Sequence, residues 1–522
     1  MSSRFNRNLV RVFSSNALHV TLTLSLLAAT SLSCGGEGET ATPPAHAFPK
    51  GFMWGTAVAG FQVDMGCPTL SAAECDDVHS DWYQFVTDPD MIKDESNHIK
   101  GDPVSVGPGM WETYPEDFKR AGQELNNNAI RLSLEWSRLF PKAEAEKATT
   151  VEELDAYADK KATAHYRAMF DAARAEGLTL MLTLNHYTLP LWVHDGKACN
   201  KNLSTCKLNG WVDGERMGRL ISLYSGWCAK TFGDQVDWWA TLNEPFAVVL
   251  AGYVLPSKDR TNPPAVYLQV ETGIDVAFNM MEAHAKMYDA IKANDTVDAT
   301  GDGNTSQVGL VPNLTVIQPK KPDDPKSVTA AEHLDHIYNR IFLEATINGQ
   351  LDRNLDGKFE EQRDDMKGRM DFIGINYYTR IQAQAVPFPG AADKFPYLDA
   401  TPDLNAGVWQ DYPQGIGEMA AWASKTYKLP VIITENGTFK DKSTAWEGYL
   451  KPHLLSLHEA MKDPEVKILG YFAWSLLDNY EWNHGMDLRF GLYAVDTDDP
   501  AKPRTLTALG AAFGEAAKNN GF

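Results

Sequence analysis

The sequence predicts a single (β/α)8 barrel, a TIM barrel with long loop insertions after its strands, and two observations carry that prediction. Eight short apolar runs, each the length of a buried strand, recur between residues 52 and 476, with amphipathic helical stretches between them. Strands alternating with helices in this way call for right-handed crossovers and a parallel sheet, and eight such units are the number that closes one.

The candidate strands, in order, are residues 52–60 (FMWGTAVAG), 129–136 (AIRLSLEW), 178–186 (LTLMLTLNH), 236–244 (VDWWATLNE), 308–316 (VGLVPNLTV), 371–378 (DFIGINYY), 430–436 (PVIITEN) and 468–476 (ILGYFAWSL). Helical spacing appears between them, as in YPEDFKRAGQELNN and in ATAHYRAMFDAARAEG, where Gly177 stands in the right place for a C-terminal cap. No second domain is needed, and the barrel is expected over residues 48–522.

The N-terminus stands apart from this pattern. Arg4, Arg7 and Arg11 precede the apolar run at 20–32, VTLTLSLLAATSL, which is short for a membrane span but suits the core of an export signal, so residues 1–33 are set aside as a signal peptide. Residues 34–47 begin with Cys34 and run through GGEGETATPPA, the composition of a flexible linker. Small residues before the cysteine and a polar tether after it resemble a bacterial lipoprotein signal, which implies lipidation of Cys34 and a cell-envelope location. The resemblance departs at Ser31, where such signals usually carry Leu, and the simpler alternative is secretion with cleavage near Ala45 or Ala47.

The chain has 522 residues, 43% hydrophobic and 22% charged, enough for a large core, and a net charge of −21. That acidity disfavours nucleic acid and anionic membrane as partners, leaving the N-terminal lipid as the expected route to a membrane. Four of the six cysteines form two close pairs in polar segments, Cys67 with Cys75 and Cys199 with Cys206. An oxidising compartment would close each pair as a disulfide, with cross-pairing of the two loops or free thiols as the alternatives. Cys228 falls in the helical pattern LISLYSGWCAKTF and is expected as a buried thiol.

Two strand candidates end in a glutamate. WWATLNEP delivers Glu244 at the end of the fourth, and VIITENG delivers Glu435 near the end of the seventh. All strands of such a barrel point one way, so these carboxyls reach the same rim. Two carboxyls facing one another across a cavity are what glycosidic bond cleavage needs, one protonated toward the leaving oxygen and one ionised toward the anomeric carbon. Taken singly, either glutamate could instead cap the next helix or pair with an arginine.

With these motifs in place, TLNEP and ITENG resemble the acid/base and nucleophile signatures of the family-1 glycoside hydrolases, the β-glucosidase and β-galactosidase group. GFMWGTAVAGFQVDMG, RLSLEWSRLFP, LNHYTLPLW, FIGINYYT, WQDYPQGI and WSLLDNYEWNHGMDLRFGLYAVD are similar to further landmarks of that family, in order, over nearly the whole chain. The resemblance implies a retaining β-glycosidase that needs no cofactor and acts on terminal β-glucosides, galactosides or fucosides. It makes Glu435 the nucleophile and Glu244 the acid/base, with the carboxyls about 5 to 5.5 Å apart. Arg131 and Tyr378 would hold Glu435 ionised and its pKa low, while Trp238, Trp239, Pro245 and Phe246 would dry the surroundings of Glu244 and raise its pKa. Asn243 would bind the sugar 2-hydroxyl.

By the same resemblance Gln62, His186 and Glu481 would bind glycon hydroxyls, with Trp482 adding a contact and Trp474 forming the floor under the ring. Asn376 and Phe490 match positions of the site wall, and Trp409 resembles the tryptophan that faces the aglycone. Many relatives carry Trp or Phe and then Asp where this chain has Tyr187 and Thr188, so a different glycon wall is expected there. Relatives that cleave 6-phosphoglycosides carry Ser at the position of Glu481, and a carboxylate there disfavours phosphate.

Residues 352–357, DRNLDG, begin like a calcium loop, but Arg363 stands where the bidentate Glu belongs; residues 298–303, DATGDG, match less well. A structural calcium is one reading of these loops and ordinary Asx turns the other. A β-1,4-glucanase or transglycosidase could use the same two glutamates. A glycan-binding protein without catalysis is the alternative of another class, against which both carboxylates are retained.

Overall fold

The eight apolar runs form eight parallel strands: β1 (Met53–Ala57), β2 (Ala129–Ser133), β3 (Thr179–Asn185), β4 (Trp238–Asn243), β5 (Gln307–Val311), β6 (Phe372–Asn376), β7 (Val431–Asn436) and β8 (Ile468–Trp474). Each pairs with its neighbours in sequence, and β8 pairs with β1, Met53 opposite Gly470, to close the barrel. These strands belong to a computed structural model that describes residues 44–384 and 410–522. The N-terminal apolar run, Cys34 with most of its linker, and Trp409 lie outside the described residues.

The strands are flanked outside by helices α1 (Met110–Lys119), α2 (Lys160–Ala175), α3 (Gly214–Phe232), α4 (Val270–Asn294), α5 (Pro325–Asp335), α6 (Gln414–Tyr427), α7 (Lys451–Ala460) and α8 (Ala508–Lys518). In α2 the local rules are plain. Asp159 accepts from the amides of Lys161 and Ala162 at the N-terminus, and Gly177 takes φ 75 just past the C-terminus, where a side chain would be strained. Ala162, Tyr166, Met169, Phe170 and Ala173 form its buried face, at helical spacing.

Small residues inside the barrel make room for large ones. A Cβ on Gly55 would come within 2.5 Å of the Phe472 ring, and one on Gly309 within 2.7 Å of the Phe372 ring, so these glycines let the aromatics fill the interior. The fifth strand is shorter than expected, stopping at Val311 because Pro312 has no N–H to give the ladder. Val316–Pro319 instead pairs with Arg380–Ala383 in a separate two-stranded sheet.

Two ladder irregularities position the site. Register shifts fall between Ala240 and Asn243 where β4 meets β5, and between Ile433 and Glu435 where β7 meets β6. Such shifts bend a strand and re-aim its side chains. Both occur at the strand ends that deliver the two glutamates.

The sulfurs of Cys67 and Cys75, and those of Cys199 and Cys206, are each 2.02 Å apart, bonded within their own loops as the local pairing expects. The first loop lies after β1 and the second after β3. Cys228 is a buried free thiol on α3. In the loop at 352–357, Asp352 already accepts from the amides of Asp356 and Gly357 and from Nε2 of His336, while Arg363 pairs with Asp365 and Glu282. In the same loop Asn354 and Asp356 accept from the amides of Asp356 and Lys358, two positions on. At 298–303, Asp298 accepts from the amides of Gly301 and Gly303, and Asp302 from that of Asn304. Both loops thus have the hydrogen bonding of Asx-type turns. Among the described residues no helix is long and apolar enough to cross a membrane.

Candidate active site

Glu244 immediately succeeds β4, and its backbone at φ 42, ψ 58 is left-handed, a costly conformation for a residue with a side chain. Pro245 takes the first position of the short helix Pro245–Val249, where a missing N–H costs nothing. The Glu244 side chain makes no capping bond to that helix. Its carboxylate instead accepts three hydrogen bonds from other strand ends. Tyr187 Oη donates to Oε2 at 2.5 Å, while Asn376 Nδ2 at 2.8 Å and Asn313 Nδ2 at 3.3 Å donate to Oε1.

The surroundings expected to dry Glu244 are arranged differently. Trp238 and Trp239 lie at the far end of β4, about 17 to 20 Å away along an extended strand. Trp238 packs on Phe372, and Trp239 donates to Asp295. Phe246 packs edge-on to Tyr338. Glu244 is half-buried and held mainly by amides and a phenol.

Glu435 is 3% exposed and more enclosed than Glu244. Arg131 Nη1 donates to its Oε1 at 2.6 Å and Tyr378 Oη to its Oε2 at 2.8 Å, the two partners expected. The expected low pKa does not result. Burial pushes the Glu435 carboxyl up to about 7, the Arg131 charge opposes the rise, and the charge of Glu244 adds to it. Removal from water outweighs one cation here because Arg131 is itself shared.

Arg131 is fixed by four contacts. Besides Glu435, Nε donates to Thr183 Oγ1 at 2.9 Å, Nη1 to the Thr434 carbonyl at 3.3 Å and Nη2 to Asn243 Oδ1 at 2.7 Å. Asn243 Oδ1 also accepts from Asn376 Nδ2 at 3.1 Å. Two donors on one oxygen settle the orientation of the Asn243 amide, so its Nδ2 faces the cavity side, where it meets His186 Nε2 at 3.2 Å. One hydrogen-bonded chain, Glu435–Arg131–Asn243–Asn376–Glu244, therefore joins the two carboxyls.

The remaining expected residues gather on the same rim. Gln62 Nε2 donates to Asn479 at 3.0 Å and to Glu481 Oε2 at 2.9 Å, and its buried Oε1 has no hydrogen-bond partner among the described residues. His186 is stacked near-parallel to Trp474 and to Trp482, with ring centroids 5.9 Å from each. Burial, together with Arg131 and Arg260, pushes its pKa well down, so the imidazole is neutral. With Nε2 facing the Asn243 amide, the proton belongs on Nδ1, which also lacks a partner among the described residues. Phe490 packs against Tyr378 and Phe439. Trp482 is stacked on Phe61 at 5.7 Å and lies against Trp82 at 4.6 Å.

Three further neighbours complete the site: Tyr187, expected only as part of an altered glycon wall, bonds to Glu244, and Asn313 and Arg260 were not expected in it. Tyr187 is visible in the sequence only as a departure from the family pattern. Asn313 lies just past the end of the fifth strand, and the strand-end reasoning that finds Glu244 and Glu435 would have found it there. Arg260 lies in the long loop between β4 and α4 and carries no sequence signal; its guanidinium stands 4.6 Å from the Tyr187 ring centre, 5.1 Å from that of Trp482 and 4.0 Å from Glu481 Oε1. Burial raises the Glu481 carboxyl to about 8, with Arg260 pulling the other way.

Residues 45–522 match the model of glycosyl hydrolase family 1 along their whole extent. The chain belongs to glycosyl hydrolase family 1. It is 35% identical over 514 residues to a β-galactosidase of Pyrococcus woesei, covering 91% of this chain and 98% of the relative, and 32% identical to a β-galactosidase of Sulfolobus acidocaldarius, covering 86% and 91%. Among solved structures, the β-glycosidase of the hyperthermophile Thermosphaera aggregans superposes with a TM-score of 0.77 at 27% identity, over 91% of this chain and 98% of that one. This family 1 chain is therefore a retaining β-glycosidase, a hydrolase whose chemistry is independent of cofactors.

Proposed function

We propose that Glu435 is the nucleophile and Glu244 the acid/base of a β-glycosidase acting on terminal, non-reducing β-glucosyl or β-galactosyl residues. The observation that carries this is the hydrogen-bonded chain joining the two carboxyls at the barrel rim. In the first step the Glu435 carboxylate bonds to the anomeric carbon while the bond to the leaving oxygen breaks and Glu244 gives that oxygen its proton. In the second, Glu244 takes a proton from water, the water oxygen bonds to the same carbon, and the ester to Glu435 breaks. Asn243 Nδ2 is offered to the 2-hydroxyl, and Gln62 Oε1 with His186 Nδ1 to other hydroxyls of the glycon.

A panel of 4-nitrophenyl β-glycosides ranks the sugars, and incubation with a 2-deoxy-2-fluoro glycoside traps the intermediate. The expected result is a mass increase on the peptide carrying Glu435 and loss of activity in Glu435→Gln. A label on another carboxylate would overturn the assignment.

We also propose export, with Cys34 lipidated. Support comes from the arginine-flanked apolar run before it and from two cysteine pairs at bonding distance, which suit an oxidising compartment. Palmitate labelling of the expressed full chain, abolished by Cys34→Ser, is the expected outcome; an unlabelled mature protein beginning near residue 46 would favour plain secretion.

A further inference from the structure

Tyr187 stands at a turn that the backbone does not adopt readily. Its φ is 71, and the Thr188 amide donates to the His186 carbonyl at 3.0 Å, closing a three-residue turn around it. Neighbours hold this turn from behind: Thr188 Oγ1 donates to Glu135 at 2.6 Å and Asn185 Nδ2 to the Thr188 carbonyl at 2.9 Å. The strained conformation sends the phenol into the site rather than along the strand. Once there, the ring is enclosed by His186 at 5.1 Å, Trp482 at 4.9 Å and the guanidinium of Arg260 at 4.6 Å. Only its hydroxyl is left to make a polar contact, and it meets Oε2 of Glu244.

The two oxygens of Glu244 are unequal. Oε1 accepts from Asn376 and from Asn313, which occupies both of its lone-pair directions. A proton to be donated must then sit on Oε2, where one lone pair receives the Tyr187 hydroxyl and the other position is free for the proton. The nearby charges are Glu435, Glu481, Arg131 and Arg260, and among the described residues none of these forms an ion pair with Glu244. Burial and the charges of Glu244 and Glu435 push the Tyr187 phenol well above its ordinary pKa, so it remains a donor through both steps.

We propose that Tyr187 is a positioning residue for proton transfer: its hydroxyl fixes Oε2 as the oxygen that protonates the leaving group, and stabilises the negative charge that grows there as the proton departs. The inference rests on Glu244 being the acid/base.

The test compares Tyr187→Phe with the parent enzyme on two β-glycosides of one sugar. A 2,4-dinitrophenyl leaving group departs without a proton, whereas a 4-methoxyphenyl group requires one. The hydroxyl is expected to matter only for the second, with kcat/KM falling about tenfold there and changing by less than about twofold on the first. Retained turnover of the dinitrophenyl glycoside shows at the same time that the variant is folded. Equal loss on both substrates, or no loss on either, would overturn the proposal. Should Phe fail to fold, Tyr187→Met fills much of the same space without a hydrogen-bond donor and must show the same split. Glu244→Ala with added azide separates this inference from the reading beneath it. Formation of the β-glycosyl azide with no split in the tyrosine variants overturns only the role of Tyr187; failure to form it overturns the assignment of Glu244, and the Tyr187 proposal with it.

Discussion

Arg131 and Glu435 are joined at 2.6 Å with almost no solvent on either side chain, 1% and 4% exposed, yet the carboxyl is pushed up to about 7. The carboxylate is the attacking form, so activity should fall as the pH drops through that value. A plot of kcat/KM against pH is expected to show an acidic limb with its midpoint near 7. Arg131→Met removes the charge that opposes the rise, so the limb should move to higher pH, and the carboxyl left without its cation should lower stability by about 3 to 5 kcal/mol. An acidic limb near pH 4 to 5, unmoved in the variant, would refute this account.

Asn243 yields a second prediction, because Arg131 and Asn376 hold its carbonyl oxygen and so fix which end of the amide faces the sugar. If Nδ2 binds the 2-hydroxyl, Asn243→Ala should reduce kcat/KM on a 4-nitrophenyl glycoside by about tenfold or more. On the matching 2-deoxy glycoside the same variant should lose far less. Equal losses on both sugars would mean that Asn243 acts only by holding Arg131.

How much was legible in the sequence depends on the range of the interactions. All eight strands were legible because each is a buried apolar run, and Glu244 and Glu435 because parallel strands share one rim. Pro312 ends the fifth strand early since a ladder needs an N–H, a purely local rule that outweighs the apolar pattern running past it. The role of Trp238 and Trp239 was misplaced for a geometric reason: residues five or six positions back along a strand are close in sequence and far in space. The pKa of Glu435 could not be read from its partners alone, because burial depends on the whole rim. Arg260 enters from a loop whose course no sequence pattern specifies.

The two short disulfide loops give a prediction about stability rather than chemistry. Cys67–Cys75 spans 8 positions and Cys199–Cys206 spans 7, so each shortens the unfolded chain by a small loop, contributing about 2.5 kcal/mol by chain entropy. Replacing one pair by serines should lower the urea midpoint while leaving kcat/KM within about twofold. The loops lie downstream of Gln62 and of His186, so a large loss of activity at unchanged stability would instead show that the staples shape the sugar pocket.

Glu481 decides how the glycon is gripped. Its Oε2 accepts from Gln62 Nε2, which turns the Gln62 carbonyl toward the cavity with no partner of its own among the described residues. The carboxyl is raised to about 8 by burial, restrained by Arg260 at 4.0 Å, and the charge of Glu435 adds to the rise. Glu481→Gln keeps the shape but can turn an amide toward Gln62, so it should weaken binding through both residues. The expected change is a fall in kcat/KM of about tenfold to a hundredfold, the range for hydrogen bonds to a charged group. Arg260→Met should act in the same direction by a different route, raising the Glu481 pKa further and moving the pH dependence of glycon binding to values above about 8. The check is the inhibition constant of the free sugar measured at about pH 6 and about pH 9 in the parent and in Arg260→Met, on either side of the raised carboxyl value of about 8. Binding that is independent of pH in the parent and in Arg260→Met would show that Glu481 meets the sugar equally well in either protonation state.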